Sequence, residues 1–123
     1  MSRELLEKKA KYRTIAARFS QKIDRFVNVL DRCTIKPDDS LEIIVFKKYI
    51  ELGDVVKVTA YINEKGYRIQ TNSYIGERKY ISNDITNIIS NRSIDDELSY
   101  AIKEMKEIDR MLIKMNAKSL LKN

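Results

Sequence analysis

The sequence predicts an α+β fold in which two long helices enclose a three-stranded antiparallel meander, in the order α-β-β-β-α. Segments with helical spacing of apolar residues lie near both ends of the 123 residues, and the segment between them is rich in β-branched residues. The connections within that central segment are short, which favours antiparallel pairing. Packing both helices on one face of the sheet gives a two-layer arrangement that buries every apolar face.

The first long helix is predicted over residues 3–33. Apolar side chains recur there at spacings of three, four and seven, and therefore share one face: Leu5, Tyr12, Ala16, Phe19, Ile23, Phe26 and Leu30. Ser2 is the predicted N-cap, because its hydroxyl can accept a hydrogen bond from an N–H of the first turn. Pro37 cannot continue a helix, so the helix is expected to end before residues 34–39.

Three strands are predicted next, at residues 41–50, 55–62 and 67–75, with room for a short fourth strand at residues 78–81. The first run is apolar and β-branched. The second alternates, with Val56, Val58, Ala60 and Ile62 on one face and Lys57, Thr59 and Tyr61 on the other. Gly53 and Gly66 mark the breaks between runs. One face of the sheet is therefore expected to cover a core while the other faces solvent.

The second long helix is predicted over residues 94–116. Ser93 stands three residues before Asp96, a variant of the capping box. Apolar residues again keep the helical period: Leu98, Ala101, Ile102, Met105, Ile108, Leu112 and Met115. A single domain spanning residues 1–123 is the expected organisation. In the alternative arrangement the helices pair as a coiled coil, within one chain or in a homo-oligomer.

Two families share parts of this predicted order. The α-β-β-β-α order resembles the double-stranded RNA-binding domain, although residues 93–98 are acidic where that family's last helix begins with lysines. The segments 56–61 and 101–110 are also similar to those of ribosome hibernation factors, although no strand precedes the first helix here. Both resemblances concern the fold and imply no activity.

The positive charge is concentrated near the start of the sequence. The net charge is +6, and residues 1–33 hold nine basic against four acidic residues, a balance of +5. At 100° per residue four of the basic residues fall within about 60° of one another, with a fifth close by. These five residues, here called the basic row, are Lys11, Arg18, Lys22, Arg25 and Arg32. Such a row predicts contact with a phosphate backbone, and its alternative is a solvated helix face.

A second candidate surface lies on the solvent face of the predicted sheet. It brings together residues here called the strand set: Lys57, Tyr61, Arg68 and Tyr74. Tyrosine and arginine side chains on an open sheet can stack on bases. The alternative is ordinary cross-strand packing.

Enzymatic chemistry has little support in the composition. The chain has no histidine and one cysteine, so it lacks the commonest general base and the usual zinc ligands. We therefore predict no catalytic residues, no metal site and no cofactor. A metal-dependent nuclease is the enzymatic alternative, with Asp38 and Glu77 holding Mg²⁺ and Lys79 facing the phosphate.

The function predicted from these features is that of a small non-enzymatic protein that binds nucleic acid, either DNA or RNA, as an accessory or regulatory factor. The alternative is a protein-interaction module (an adaptor, inhibitor or assembly factor) whose helices form coiled coils and whose basic row meets an acidic protein surface. The single Cys33 and the lack of a long apolar run predict a cytoplasmic protein without a membrane partner.

Overall fold

Five helices and one two-stranded antiparallel sheet form the part of the chain that the computed structural model describes, residues 1–74 and 76–115. In chain order the elements are α1 Arg3–Leu30, α2 Leu41–Leu52, α3 Val55–Glu64, β1 Ile69–Gln70, β2 Glu77–Arg78, α4 Ser82–Ser90 and α5 Asp96–Lys114. None of the helices within these residues is long and apolar enough to cross a membrane.

The predicted three-stranded meander is wrong. Residues 41–50 lie in α2 and residues 55–62 lie in α3, while only Ile69–Gln70 of the third predicted strand is extended and paired. These two residues pair with Arg78 and Glu77 to form a short hairpin. The fold is therefore mostly helical, and neither the two-layer α-β-β-β-α arrangement nor the two family resemblances built on it apply.

Helix α2 resembles a strand in sequence because it is buried on two sides. Residues 44–47 and Ile50 are all buried, so the helix has no solvent-facing polar stripe to reveal its period. Its ends carry ordinary helix signals. The Ser40 hydroxyl accepts a hydrogen bond from the Ile43 N–H at 3.3 Å, and Gly53 follows the last turn with a φ of 68°, a left-handed conformation that favours glycine.

Helix α3 overrides the strand preference of its β-branched residues. The Asp54 carboxylate accepts hydrogen bonds from the N–H groups of Val56 at 2.8 Å and Lys57 at 3.3 Å, which caps the first turn. Val58 and Ile62, four residues apart, are fully buried, whereas Val56 is 67% exposed. The alternation that predicted one shared face for Val56 and Val58 is therefore replaced by the helical period.

Two apolar clusters hold the helices together, and α2 contributes to both. One cluster joins α2, α3 and α4 through Ile44, Val45, Val58, Ile62 and Ile85. The other joins the end of α1 to α2 and α5 through Val29, Phe46, Ile50, Leu98, Ala101 and Ile102. Helices α2, α3 and α4 each contact the other two, so they form a three-helix unit, and α1 and α5 pack together beside it.

The two long helices differ slightly from their predicted bounds. Ser2 caps α1 as predicted, since its hydroxyl accepts a hydrogen bond from the Leu5 N–H at 3.2 Å, but α1 ends at Leu30. Helix α5 begins at Asp96, and its cap is Asp95, whose carboxylate accepts from the Leu98 N–H at 2.8 Å. The Ser93 capping box is therefore wrong. The final residue of the predicted helix, 116, lies outside the described residues.

Candidate nucleic-acid interface

Helices α2 and α3 form a helix-turn-helix. Only Gly53 and Asp54 separate them, and each residue has a distinct local role: Gly53 closes α2 in its left-handed conformation, and Asp54 caps α3. The Gly53 N–H donates to the Tyr49 carbonyl at 2.8 Å, which fixes the turn. A short glycine-containing turn between two helices is also a feature of the helix-turn-helix that presents a second helix to the major groove of DNA, where the turn usually has about three or four residues.

The outward face of α3 lies opposite its buried face. It carries Val56, Lys57, Ala60 and Glu64, all exposed, with Tyr61 half-buried beside them. Near the N-terminus this face is cationic and apolar, and its acid, Glu64, stands at the last turn. The described residues provide no ion-pair partner for Lys57. This end of α3 therefore offers one cation and two small apolar groups to an external surface.

The hairpin is fixed beside the C-terminal end of α3. The Asn63 side chain makes two hydrogen bonds to the Tyr80 backbone: its Nδ2 donates to the carbonyl at 3.0 Å, and its Oδ1 accepts from the N–H at 2.9 Å. Arg68 donates from Nη1 to the Asn63 carbonyl at 3.1 Å. Both ends of the hairpin are therefore tied to the same residue of α3.

The end of the hairpin projects into solvent. Tyr74 is fully exposed, and Gly76 turns the chain with a φ of 83°. Lys79 is exposed after β2, whereas Arg78 is engaged by Asp84 through two hydrogen bonds of 2.9 and 3.0 Å. The bond from Arg78 lowers the pKa of Asp84, which also accepts from the Ile81 N–H, and so Arg78 serves to fix the hairpin to α4.

The strand set does not lie on a sheet, yet the structure places all four of its residues on the helix-turn-helix and its hairpin. Lys57 and Tyr61 are one helical turn apart on α3, Arg68 precedes β1, and Tyr74 lies in the hairpin loop. Two ammonium groups approach the Tyr61 ring, with Lys48 Nζ 4.4 Å and Lys65 Nζ 5.5 Å from its centre. Arg68 is turned back onto backbone carbonyls, including that of Tyr67 at 2.7 Å.

Three members of the basic row form ion pairs with α5. Lys22 is hydrogen-bonded to Glu107, Arg25 lies 3.9 Å from the buried Glu104, and Arg32 lies 2.5 Å from Glu97. Residue numbers rise along α1 as they fall along α5, so the two helices run antiparallel. These cations are therefore paired within the molecule, while the side chains of Arg25 and Arg32 remain 63% and 61% exposed.

The Lys22–Glu107 pair also shifts the titration of both groups. The hydrogen bond and charge of Lys22 lower the pKa of the Glu107 carboxyl, and the same bond raises the pKa of Lys22. Both shifts favour the charged forms. Both groups are therefore charged at neutral pH, and their ion pair adds to the contact between α1 and α5.

Lys11 and Arg18 are the members of the basic row that α5 does not engage. Both are exposed, and neither forms an ion pair within residues 1–74 and 76–115. Along α1 they precede Lys22 and Arg25, the residues of this helix that pair with α5. The row is therefore divided into three residues that pair with α5 and two that do not.

The nuclease alternative gains no geometric support from the described residues. No group of three metal-binding side chains occurs among them. Glu77 is exposed on β2 and accepts a hydrogen bond from Gln70 Nε2 at 3.2 Å, and Asp38 is exposed in the connection between α1 and α2. We derive no catalytic arrangement from these residues.

The helix-turn-helix is the feature that the sequence analysis missed. Ser40, Gly53 and Asp54 are the signals that could have revealed it, because an N-cap, a C-terminal glycine and a second N-cap delimit two short helices. The β-branched residues of these two segments favoured strands and led to the wrong prediction. The sequence gives no significant match to a family model, a curated protein or a solved structure.

Proposed function

We propose that this protein binds double-stranded DNA by inserting the N-terminal half of α3 into the major groove. The observation that carries this proposal is the helix-turn-helix: α3 is held by its Val58 and Ile62 face and turns Val56, Lys57 and Ala60 outward. The first turns of the second helix are those that reach base edges in this motif.

Duplex DNA fits this surface better than RNA. The major groove of B-form DNA is about 12 Å wide and admits an α-helix, whereas the major groove of A-form RNA is too deep and narrow for side chains to read. A helix with one exposed face, as α3 has, is suited to the first of these shapes. The stacking of bases on an open sheet, which the strand set suggested, depended on a sheet that this fold lacks.

The exposed residues of α3 suit particular groups of the major groove. Lys57 can donate hydrogen bonds to guanine O6 and N7 or to a phosphate, while Val56 and Ala60 can contact thymine methyl groups. These assignments make α3 the source of sequence preference.

The hairpin supplies the contacts that hold the protein on the duplex. Residues 55–81 contain five basic and two acidic residues, a balance of +3. Tyr74 and Lys79 are exposed on this segment, and both side chains can donate hydrogen bonds to phosphate oxygens. The hairpin would therefore add affinity without adding sequence preference.

The proposal is tested by a matched pair of substitutions. Ala60→Glu puts a negative, longer side chain on the outward face of α3, so it should weaken binding to a labelled duplex by at least about tenfold. Ala10→Glu makes the same change on an exposed position of α1 and should leave affinity within about threefold. The probe is a duplex selected from a randomised pool by the wild-type protein.

Two further readouts separate DNA from its alternatives. Affinity for the duplex should fall steeply between about 50 and 200 mM salt, and Lys57→Ala should reduce the slope of log K against log salt by about one. An RNA duplex of the same sequence should bind more weakly. Equal loss of affinity in Ala60→Glu and Ala10→Glu, or tighter binding to the RNA duplex, would contradict the proposal.

A further inference from the structure

The first half of α1 is an amphipathic helix whose apolar face has no cover among the described residues. Leu5, Tyr12 and Ile15 are each about half exposed, and they continue along the helix the face that Phe26 and Val29 bury. Large apolar side chains repeated on one exposed face indicate a surface that binds another molecule.

The covered half of α1 shows how such a surface is bound in this molecule. Its apolar residues pack on α5. Lys22 and Arg25 of α1, and Arg32 just after its C-terminal end, pair with glutamates of that helix. Arg25 and Arg32 are seven residues apart, as are their partners Glu104 and Glu97. Arginine and glutamate thus face each other at heptad spacing, as charged flanks do in coiled coils.

The exposed half of α1 repeats the same pattern one and two heptads earlier. The apolar positions Leu5, Tyr12, Phe19 and Phe26 follow one another at intervals of seven, and so do the cationic positions Lys11, Arg18, Arg25 and Arg32. Lys11 and Arg18 therefore hold the positions that, further along, engage acids. The uncovered segment has both determinants of the α5 contact, an apolar stripe and a cationic flank.

Within the described residues, α5 does not supply the acids that would match them. One seven-residue step along α5 leads from Glu104 to Met111, which is not acidic. A second copy of α1 is also poorly matched, because residues 3–18 hold six basic and two acidic residues and two such segments repel. DNA would neutralise the cations but would leave the apolar side chains exposed.

We infer that residues 3–19 of α1 bind an acidic amphipathic helix of another protein. The partner helix runs antiparallel to α1, places apolar residues on Leu5, Tyr12 and Ile15, and carries glutamate or aspartate at heptad spacing against Lys11 and Arg18. An open cavity of about 490 Å³ between α1 and α5, lined by Ile15, Phe19 and Met111 among others, is where one end of the partner would meet α5. This contact is separate from the DNA surface on α3.

The test uses a synthetic peptide made of two tandem copies of residues 95–108. It carries the acids and apolar residues of α5 at uninterrupted heptad spacing and is long enough to form a helix on binding. The full-length protein should bind this peptide, measured by titration calorimetry. Affinity should fall by at least about tenfold in the variant Leu5→Ser/Tyr12→Ser/Ile15→Ser, and by a similar factor in the variant Lys11→Glu/Arg18→Glu.

A charge exchange distinguishes recognition from general stickiness. A peptide in which the residues equivalent to Glu97 and Glu104 are lysine should bind the wild-type protein poorly and bind the Lys11→Glu/Arg18→Glu variant better. The control variant Lys36→Glu/Arg92→Glu changes the net charge equally at exposed sites away from α1 and should bind the original peptide as the wild type does. Circular dichroism of each variant checks that the helices are retained.

Three results would overturn the inference. The first is a wild-type protein that does not bind the peptide, and the second is binding that survives both α1 variants. The third is a wild-type dimer, seen by sedimentation, that the Leu5, Tyr12 and Ile15 substitutions dissociate, because a second copy would then occupy the stripe.

Discussion

A buried lysine in the middle of α2 connects this helix to the segment that precedes it. Lys47 Nζ donates to the Thr34 carbonyl at 3.0 Å and to the Asp39 carboxylate at 2.7 Å. Asp39 also accepts from the Lys36 N–H at 2.8 Å, and this bond together with Lys47 lowers the pKa of its carboxyl. A buried ammonium group with two acceptors satisfies the requirement that buried charges be paired. These contacts fix the path of the connection between α1 and α2.

The lowered pKa values of Asp39 and Asp84 predict how stability depends on pH. Because the folded state holds each carboxylate ionised more strongly than the unfolded state does, this stabilisation is complete above the ordinary carboxyl pKa and is lost as the pH falls through the folded value. The thermal midpoint should therefore be flat between about pH 5 and 7 and should drop below about pH 4.

Asparagine variants assign that drop to particular residues. Asp39→Asn and Asp84→Asn should each lower the midpoint at pH 7 and make the drop in acid shallower, measured by circular dichroism melts across the pH series. Asp38→Asn, at an exposed neighbour of Asp39, is the control and should follow the wild-type curve. A drop as steep in both variants as in the wild type would show that other groups dominate acid unfolding.

Among the helices, α1 and α5 were predictable from the sequence, whereas α2 and α3 were not, for two different reasons. Helices α1 and α5 have amphipathic periods and polar caps, so their positions follow from spacing alone. Helix α2 is covered by α3 and α4 on one side and by α1 and α5 on the other, so its apolar residues form a continuous run. Such a run does not distinguish a buried helix from a buried strand. Helix α3 was mistaken because β-branched residues favour strands, and tertiary packing overcame that preference.

Two identical substitutions in α3 test whether the segment is a helix or a strand. Val58→Ala should lower the free energy of unfolding by about 1–2 kcal/mol, because it removes buried methyl groups from the cluster around Ile44 and Ile85. Val56→Ala should leave it unchanged or raise it by up to about 0.5 kcal/mol, since alanine is the better helix former at an exposed site.

Chemical denaturation with urea gives both values on one scale. In a strand the two valines would share a face, so the two substitutions would have similar costs. Equal losses in Val56→Ala and Val58→Ala would therefore contradict the helical assignment of residues 55–64.

For the whole molecule, the sequence indicated which residues could bind a polyanion but not which of them are used internally. The basic row was evident from charge and helical angle. Its pairing with α5 was not, because Lys22 and Glu107 are 85 residues apart and nothing local links them. The strand set was predicted on the outer face of a sheet. Its residues belong instead to α3 and the hairpin, two segments that follow one another in the chain. The helix-turn-helix itself required the correct assignment of α2 and α3.

The exposed cations of the two proposed binding sites lie on two different parts of the molecule. Lys57 and Lys79 lie on the helix-turn-helix and its hairpin, and Lys11 and Arg18 lie on the exposed half of α1. If α3 binds DNA while α1 binds a helical partner, the two functions should separate by mutation. The protein would then connect a DNA site to another protein.

The most direct measurement of the DNA-binding claim compares two charge-matched variants on one selected duplex. Lys57→Glu/Lys79→Glu and Lys11→Glu/Arg18→Glu each change the net charge by the same amount, so a difference in Kd reports position and not total charge. Binding through α3 and the hairpin predicts a loss of at least about tenfold for the first variant and less than about threefold for the second. A larger loss for the Lys11 and Arg18 variant, or no binding by the wild-type protein at low salt, would contradict it.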